Sequence, residues 1–244
     1  MKKKLVFFLI GITLFLISLP MSTKMIMELI HNQKMNEHYK ITKVNEGYPA
    51  TQSTYNFQDH IIEVEETIKE EKSFIDPWEN KTVIADLSIK LDGENIDTLI
   101  NHPIRVAEKG LNRYYGEIAY LILEDKKEEK SQFIILLKKT REVQKEMPNG
   151  DIVGGVPAEK LKYKLYTLNE KGNINSQSFD FNERDALQTE LLNAGGVVPY
   201  SIGYYTDAWE WYPSLLFPLL FPFLTFIIGL ILTLVFLPLR RVKK

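Results

Sequence analysis

Residues 5–23 read LVFFLIGITLFLISLPMST, a run without a charged side chain. As a helix it is about 28 Å long, close to the roughly 30 Å hydrocarbon core of a bilayer. The run therefore predicts a first transmembrane helix at residues 5–23. Lys2, Lys3 and Lys4 precede it and belong to a short cytoplasmic N-terminus, residues 1–4.

A cleavable signal peptide is the alternative for this first run, because a basic start followed by apolar residues serves both purposes. Cleavage requires small residues in an Ala-x-Ala-like arrangement. The sequence Ser18-Leu19-Pro20-Met21-Ser22 is a poor match. We therefore expect an uncleaved signal anchor; a cut chain would have a single anchor and the same orientation.

A second uncharged run, WYPSLLFPLLFPFLTFIIGLILTLVFLPL, occupies residues 211–239. It predicts a second transmembrane helix at 213–239, followed by a basic cytoplasmic tail at 240–244. Trp209, Trp211 and Tyr212 border the run, and we expect them at the membrane interface, where an aromatic ring is buried while its polar group stays hydrated. Three prolines in its first half predict a bent start for this helix.

Small residues recur at a spacing of four inside the second run, at Thr225, Gly229 and Thr233. Such a stripe lets two helix backbones approach closely, so these residues are predicted to pack against another helix. Ser18 and Ser22 form a shorter stripe in the first run. The predicted spans contain no ionisable residue, which argues against an ion or proton path formed by this chain alone.

Basic residues flank both runs and predict the orientation, because Lys and Arg next to spans stay on the cytoplasmic side. Both termini are therefore expected in the cytoplasm, with residues 24–212 outside. The chain has no cysteine, and an outer domain without disulfides fits the cell membrane of a Gram-positive-type bacterium. The residues on which the orientation rests are Lys2, Lys3, Lys4, Arg240, Arg241, Lys243 and Lys244.

The part of the chain between the basic ends is acidic. Without the seven basic residues of the ends it has 23 basic and 32 acidic residues, a net charge of −9. Nucleic-acid binding needs a basic surface that displaces counterions. The charge therefore argues against a nucleic-acid partner.

The outer domain, residues 24–212, is predicted to be a β-rich α+β fold. Residues 81–91 alternate strictly between apolar and polar, which is typical of a half-buried strand, and 60–69 alternate in part. Hairpins are predicted from 117–124 with 132–139 and from 161–168 with 174–181. A helix is expected at 183–194, capped by Asp180 or Asn182 and ended by Gly195 and Gly196, and the first helix is expected to continue to about residue 38.

No residue pattern in the chain specifies a chemistry. Phosphate loops, nucleophile elbows and zinc spacings are missing, so we predict no cofactor, no metal, no catalytic residue and no enzymatic activity. Besides the lipid bilayer, we expect another membrane or envelope protein, or further copies of the chain, as partners. The leading hypothesis is a membrane-anchored extracytoplasmic binding, regulatory or accessory protein. The alternatives are a subunit of a transporter or channel complex and, third, an envelope enzyme.

Overall fold

The computed structural model describes residues 2–44, 54–75, 81–105, 116–140, 145–146, 152–153, 156–198, 201–208 and 216–238. The chain divides into two compact units. A helical unit comprises Met1–Asn36 and Ser201–Lys244, and a sheet unit comprises Glu37–Tyr200. The chain thus has one long apolar N-terminal helix and a β-rich sheet domain.

Helix α1 spans Lys2–His38. It is about 55 Å long at about 1.5 Å per residue, and its most apolar window has a mean hydropathy of 2.4. Within the described residues it alone is long and apolar enough to cross a membrane. Its apolar side chains are largely exposed, among them Leu5, Leu9, Ile10, Leu16 and Ile17. The predicted continuation of the first helix to residue 38 is confirmed.

The second apolar run is broken into short pieces. Helix α3 spans Leu216–Pro218, a π-helical segment follows at Leu219–Leu224, and helix α4 spans Thr225–Val235. Phe221 lies in extended backbone (φ −134°, ψ 127°), because a residue before proline is disfavoured in the helical region. The described apolar helix, Leu219–Val235, is therefore shorter than the helix expected at 213–239.

The sheet unit contains two antiparallel sheets. One has five strands in the order β1-β6-β7-β10-β11, and the other has four in the order β2-β3-β4-β5. The bounds of the first are β1 Tyr39–Lys43, β6 Ile118–Asp125, β7 Lys130–Lys138, β10 Lys162–Asn169 and β11 Ile174–Asp180. Those of the second are β2 Thr54–Phe57, β3 His60–Ile75, β4 Lys81–Leu91 and β5 Glu94–Arg105. A short ladder joins β8 (Lys145–Glu146) to β9 (Ile152–Val153).

The hydrophobic core joins the two sheets. Tyr55 of β2 stacks on Tyr120 of β6 at 4.3 Å between ring centroids, and both lie near Phe133 of β7. Alternate residues of the five-stranded sheet face this core, among them Ile118, Tyr120, Phe133, Ile135 and Leu137. The residues between them on the same strands point to the other face of the sheet, where helix α2 (Ala186–Gly195) packs. A Cβ on Gly195 of that helix would lie 2.8 Å from Cβ of Ala119. Since both faces are covered there, residues 118–123 of β6 and 133–137 of β7 are all apolar or aromatic.

Helix α2 begins three residues later than the sequence predicted. Its N-cap is Asp185, which accepts from the N–H of Gln188, while the Gln188 side chain accepts from the Asp185 N–H. The expected caps, Asp180 and Asn182, were wrong, because this reciprocal capping box satisfies two amide groups at once. The predicted stop is confirmed, since Gly196 takes the left-handed conformation (φ 64°) that ends helices.

Candidate functional site

Within the helical unit, α1 and α4 pack in opposite directions with their backbones in close contact. A Cβ on Gly229 would lie 2.5 Å from the Phe15 N atom, and one on Gly11 would lie 2.7 Å from the Thr233 N atom. Two ring pairs accompany this contact, Phe15 with Phe226 and Phe7 with Phe236. Only residues without a side chain fit at the crossing.

The residues predicted to pack helices have different surroundings. Gly229 is buried in the crossing, and the Thr233 hydroxyl donates to the Gly229 carbonyl at 2.7 Å. The Thr225 hydroxyl donates to the carbonyl of Pro222 at 2.9 Å. On α1, Ser18 and Ser22 are both buried. Gly11 was missed by sequence reasoning, although it lies on the same face as Ser18, seven residues earlier.

The predicted interface and topology residues are only partly described. Trp209, Trp211 and Tyr212 lie outside the described residues, as do Arg240, Arg241, Lys243 and Lys244. Lys2 belongs to α1, and Lys3 and Lys4 are exposed in its first turn.

The most unusual side chain of the helical unit is Glu28, which is 2% exposed. Its carboxylate accepts hydrogen bonds from the backbone N–H of Tyr204 at 2.7 Å and of Tyr205 at 2.6 Å. A buried carboxylate is costly unless it is hydrogen-bonded, and bonds to an ionised acceptor are stronger than neutral ones. The two amides therefore compensate the burial of Glu28 and attach residues 204–205 to α1.

Glycine is required beside this carboxylate. A Cβ on Gly203 would lie 2.9 Å from Oε1 of Glu28 and closer still to the carbonyl oxygen of Thr206. The Gly203 N–H donates to Asp207 at 3.1 Å, which fixes the turn. Residues 203–205 and Glu28 together are called the clasp below.

His31 lies one turn beyond Glu28 and continues the contact. Its ring stacks on that of Tyr204 at 4.2 Å, and its Nδ1 lies 3.2 Å from the hydroxyl of Tyr205. About two turns before Glu28, the Thr206 hydroxyl lies 3.9 Å from Sδ of Met21. The clasp and these neighbouring contacts together extend over about three turns of α1. Sequence reasoning missed Glu28, although it is the one acidic residue among the apolar residues 25–30.

A second polar cluster lies in the sheet unit, where Asp97 of β5 meets β10. The Tyr166 hydroxyl donates to Asp97 Oδ2 at 2.5 Å, and Nζ of Lys164 lies 3.2 Å from the same oxygen. Burial raises the pKa of Asp97, but the hydrogen bonds from Tyr166 and Lys164 outweigh it and hold that pKa below its ordinary value. Burial, with the bond to Asp97, raises the pKa of Tyr166 to about 12. The cluster is thus an ionic and hydrogen-bonded link between the two sheets.

The space between the sheets is small and apolar. A cleft with a volume of about 10 Å³, room for about one water molecule, is lined by side chains of both sheets, including Ile62, Ile96, Phe133, Tyr166 and Leu168. Pockets for small molecules usually measure about 300–1,000 Å³. Among the described residues, no three His, Asp or Glu side chains are placed to hold a metal ion.

Some acidic residues of the sheet unit are paired with lysines. Glu65 lies 2.6 Å from Nζ of Lys90, and Asp180 lies 3.5 Å from Nζ of Lys162. These are exposed or half-exposed surface pairs, which contribute little to stability.

No family model, curated protein or solved structure matches this chain.

Proposed function

We propose that this chain is a membrane-anchored protein with two spans, whose sheet domain lies outside the cytoplasm and acts as a binding or regulatory module on protein partners. The observation that carries the proposal is the antiparallel contact between α1 and α4 at Gly11 and Gly229. Two apolar helices that run in opposite directions return a chain to its starting side. The basic residues at both ends agree with that arrangement.

The exposed side chains of the helical unit also support a membrane location. Large apolar residues cover the outward surfaces of both helices, for example Ile17 at 62% and Val235 at 67% exposed. A contiguous exposed apolar surface of this kind is rare on soluble monomers. In a bilayer it would contact lipid chains.

The clasp supports a fixed arrangement of the two helices. Glu28 binds the chain close before the second apolar run, so the first and second helices are tied where residue 204 meets α1. Such a fixed pair suits an anchor better than a gate. The narrow cleft of the sheet domain, in turn, favours recognition on its surface over capture of a small molecule.

The proposed topology is tested by cysteine labelling, for which a chain without cysteine is ideal. Single cysteines replace two exposed lysines, Lys127 in the β6–β7 turn and Lys3 in the first turn of α1. On intact cells, a membrane-impermeant maleimide should label Lys127→Cys, and it should label Lys3→Cys only after permeabilisation. Labelling of both variants, or of Lys3→Cys alone, on intact cells would exclude the proposed orientation.

The proposed binding role is tested separately. A photo-crosslinking residue in place of Lys127 is activated in native membranes, and the products are purified in mild detergent. A discrete adduct with a membrane or envelope protein supports the role, whereas an uncrosslinked monomer weighs against it. A symmetric oligomer with measurable conductance would instead identify a channel subunit.

A further inference from the structure

The four outer strands of the two sheets are protected unequally against pairing with another chain. Natural proteins protect such edges by short length, lysine, proline or bulges. Strand β1 has five residues with two lysines, and β2 has only four residues. Strand β5 contains Pro103 and pairs with β4 through two register irregularities.

Strand β11 has none of these protections. It is the last strand of its sheet among the described residues, and it pairs with β10 in unbroken register from Ile174 to Asp180. Its sequence INSQSFD contains no charge before Asp180 and no proline or glycine. Residues 175–178 are all exposed. An edge that is long, regular and uncharged is a template for strand addition.

The hydrogen bonds at the two ends of the β10–β11 ladder fix which groups point outward. Asn169 N–H donates to the Asn173 carbonyl, and Phe181 N–H donates to the Leu161 carbonyl. Since bonded and non-bonded pairs alternate in an antiparallel ladder, the odd-numbered residues of β11 bond to β10. Ile174, Ser176, Ser178 and Asp180 therefore direct their N–H and C=O groups away from the sheet.

We propose that β11 pairs antiparallel with β11 of a second copy of this chain, with Gln177 opposite Gln177 of the other copy. This register uses the outward groups of all four even-numbered residues and forms about eight inter-strand hydrogen bonds. It places Ser176 opposite Ser178, and Ile174 opposite Asp180. No like charges face each other, and the two five-stranded sheets become continuous.

The charges of β11 suit a second copy better than a basic partner strand, because its one charged residue, Asp180, faces Ile174 and not its own copy in this register. The region between the basic ends carries a net charge of −9, so two copies repel over most of their surfaces. The uncharged exposed stretch at 175–178 is a place where that repulsion is least. A basic partner strand would instead be recognised by acidic side chains, which this stretch lacks.

The test uses single cysteines in the full-length chain in native membranes. In the proposed register, Gln177 and its copy form a non-hydrogen-bonded pair with Cα atoms about 4.5 Å apart, which a disulfide can span. Asn175 and its copy are offset by four residues, about 13 Å along the strands, which no disulfide spans. Under mild oxidation, Gln177→Cys should form covalent dimers at a yield roughly tenfold or more above that of Asn175→Cys.

A second pair of variants tests whether strand pairing brings the cysteines together. Adding Ser176→Lys and Ser178→Lys to Gln177→Cys places like charges directly opposite each other, and should abolish the dimer. The matched Ser176→Thr and Ser178→Thr variant should retain it. All four substitutions are at exposed positions, and an unchanged urea midpoint shows that the domain still folds.

Three outcomes would overturn self-pairing: equal dimer yields at positions 175 and 177, no dimer at 177, or a disulfide from 177 to a different protein. The self-pairing of β11 rests on the proposed binding role in one respect, because it names a second copy of the chain as the protein partner. Its failure is distinguishable from failure of that role, because the orientation is read at Lys127 and Lys3, and other partners are captured at Lys127.

Discussion

At the scale of single residues, two carboxylates show how burial becomes useful when hydrogen bonds compensate it. Glu28 is compensated by two backbone amides, and Asp97 by a tyrosine and a lysine. Removing an acceptor of this kind leaves donors without a partner, which costs more than the bond contributed. Both sites are therefore sensitive to small changes of the carboxyl group.

Glu28→Ala should destabilise the helical unit by about 2 kcal/mol, because two amides lose their acceptor. Glu28→Gln keeps one acceptor oxygen and should recover part of that loss. The measurement is the denaturant midpoint of the full chain in mild detergent. Lys34→Ala, at an exposed position of the same helix, is the control. Equal midpoints for Glu28→Ala and Lys34→Ala would show that the clasp does not contribute to stability.

Acid should weaken the sheet unit through Asp97. A carboxyl whose pKa is lower in the folded state contributes stability above its unfolded pKa of about 3.9, and loses it as the pH falls through the folded pKa. The urea midpoint of the native chain should therefore drop more steeply between about pH 5 and pH 2 than that of Asp97→Asn. Parallel pH profiles for the two chains would refute this assignment.

At the scale of elements, the crossing of α1 and α4 depends on glycine at two facing positions. A side chain at either position would overlap backbone atoms of the other helix. Two ring pairs, Phe7 with Phe236 and Phe15 with Phe226, pack beside the same crossing. The crossing is thus sensitive to the smallest addition of volume.

Gly229→Ala should weaken the pairing of α1 and α4 by about 1–3 kcal/mol, the usual cost of overpacking. Phe7→Cys and Phe236→Cys, whose rings pack 5.2 Å apart in the native chain, report the pairing as the yield of crosslinking by a short bifunctional thiol reagent. Leu234→Ala, at a position 63% exposed on the same helix, is the control. An undiminished yield in Gly229→Ala would contradict the close crossing.

Elements with regular patterns could be predicted, and those with interrupted patterns could not. The strand expected at 81–91 is confirmed, and both hairpins are present within two residues of their expected bounds. Strand β5 was missed because Asp97, Asn101 and Pro103 interrupt its alternation. Asp97 belongs to the cluster with Tyr166, and Asn101 has a positive φ of 54°. Tertiary contacts thus override the local preference at these positions.

At the scale of the whole molecule, the apolar and polar segments could be distinguished from the sequence, but the contacts between distant segments could not be predicted. The close contact of Gly11 with Gly229, and the link from Glu28 to residues 204–205, join positions far apart in the chain. The amino-acid composition of two distant segments does not show whether they lie side by side in the fold, so these contacts could not be predicted. The requirement for glycine at position 203 could not be predicted from the sequence. It arises because a Cβ there would lie too close to Glu28, and that contact exists only in the folded chain.

The sheet unit should fold without the apolar helices. It has its own core, and its backbone pairing closes within residues 37–200. A chain of residues 37–200 is expected to be soluble, with a β-type circular dichroism spectrum and a single cooperative urea transition. A gradual, non-cooperative transition would show that the helices are required for folding.

The clasp also determines which substitutions the chain tolerates. Glu28 binds the main chain of residues 204 and 205 rather than their side chains. Any residue with an N–H supplies the same donor, and proline alone does not. Tyr204 and Tyr205 are therefore free to diverge as far as this attachment is concerned. In chains descended from a common ancestor, an unchanging glutamate and glycine are expected at positions 28 and 203, and any change at 204 or 205 is expected to accompany a change of His31, which both tyrosine side chains contact.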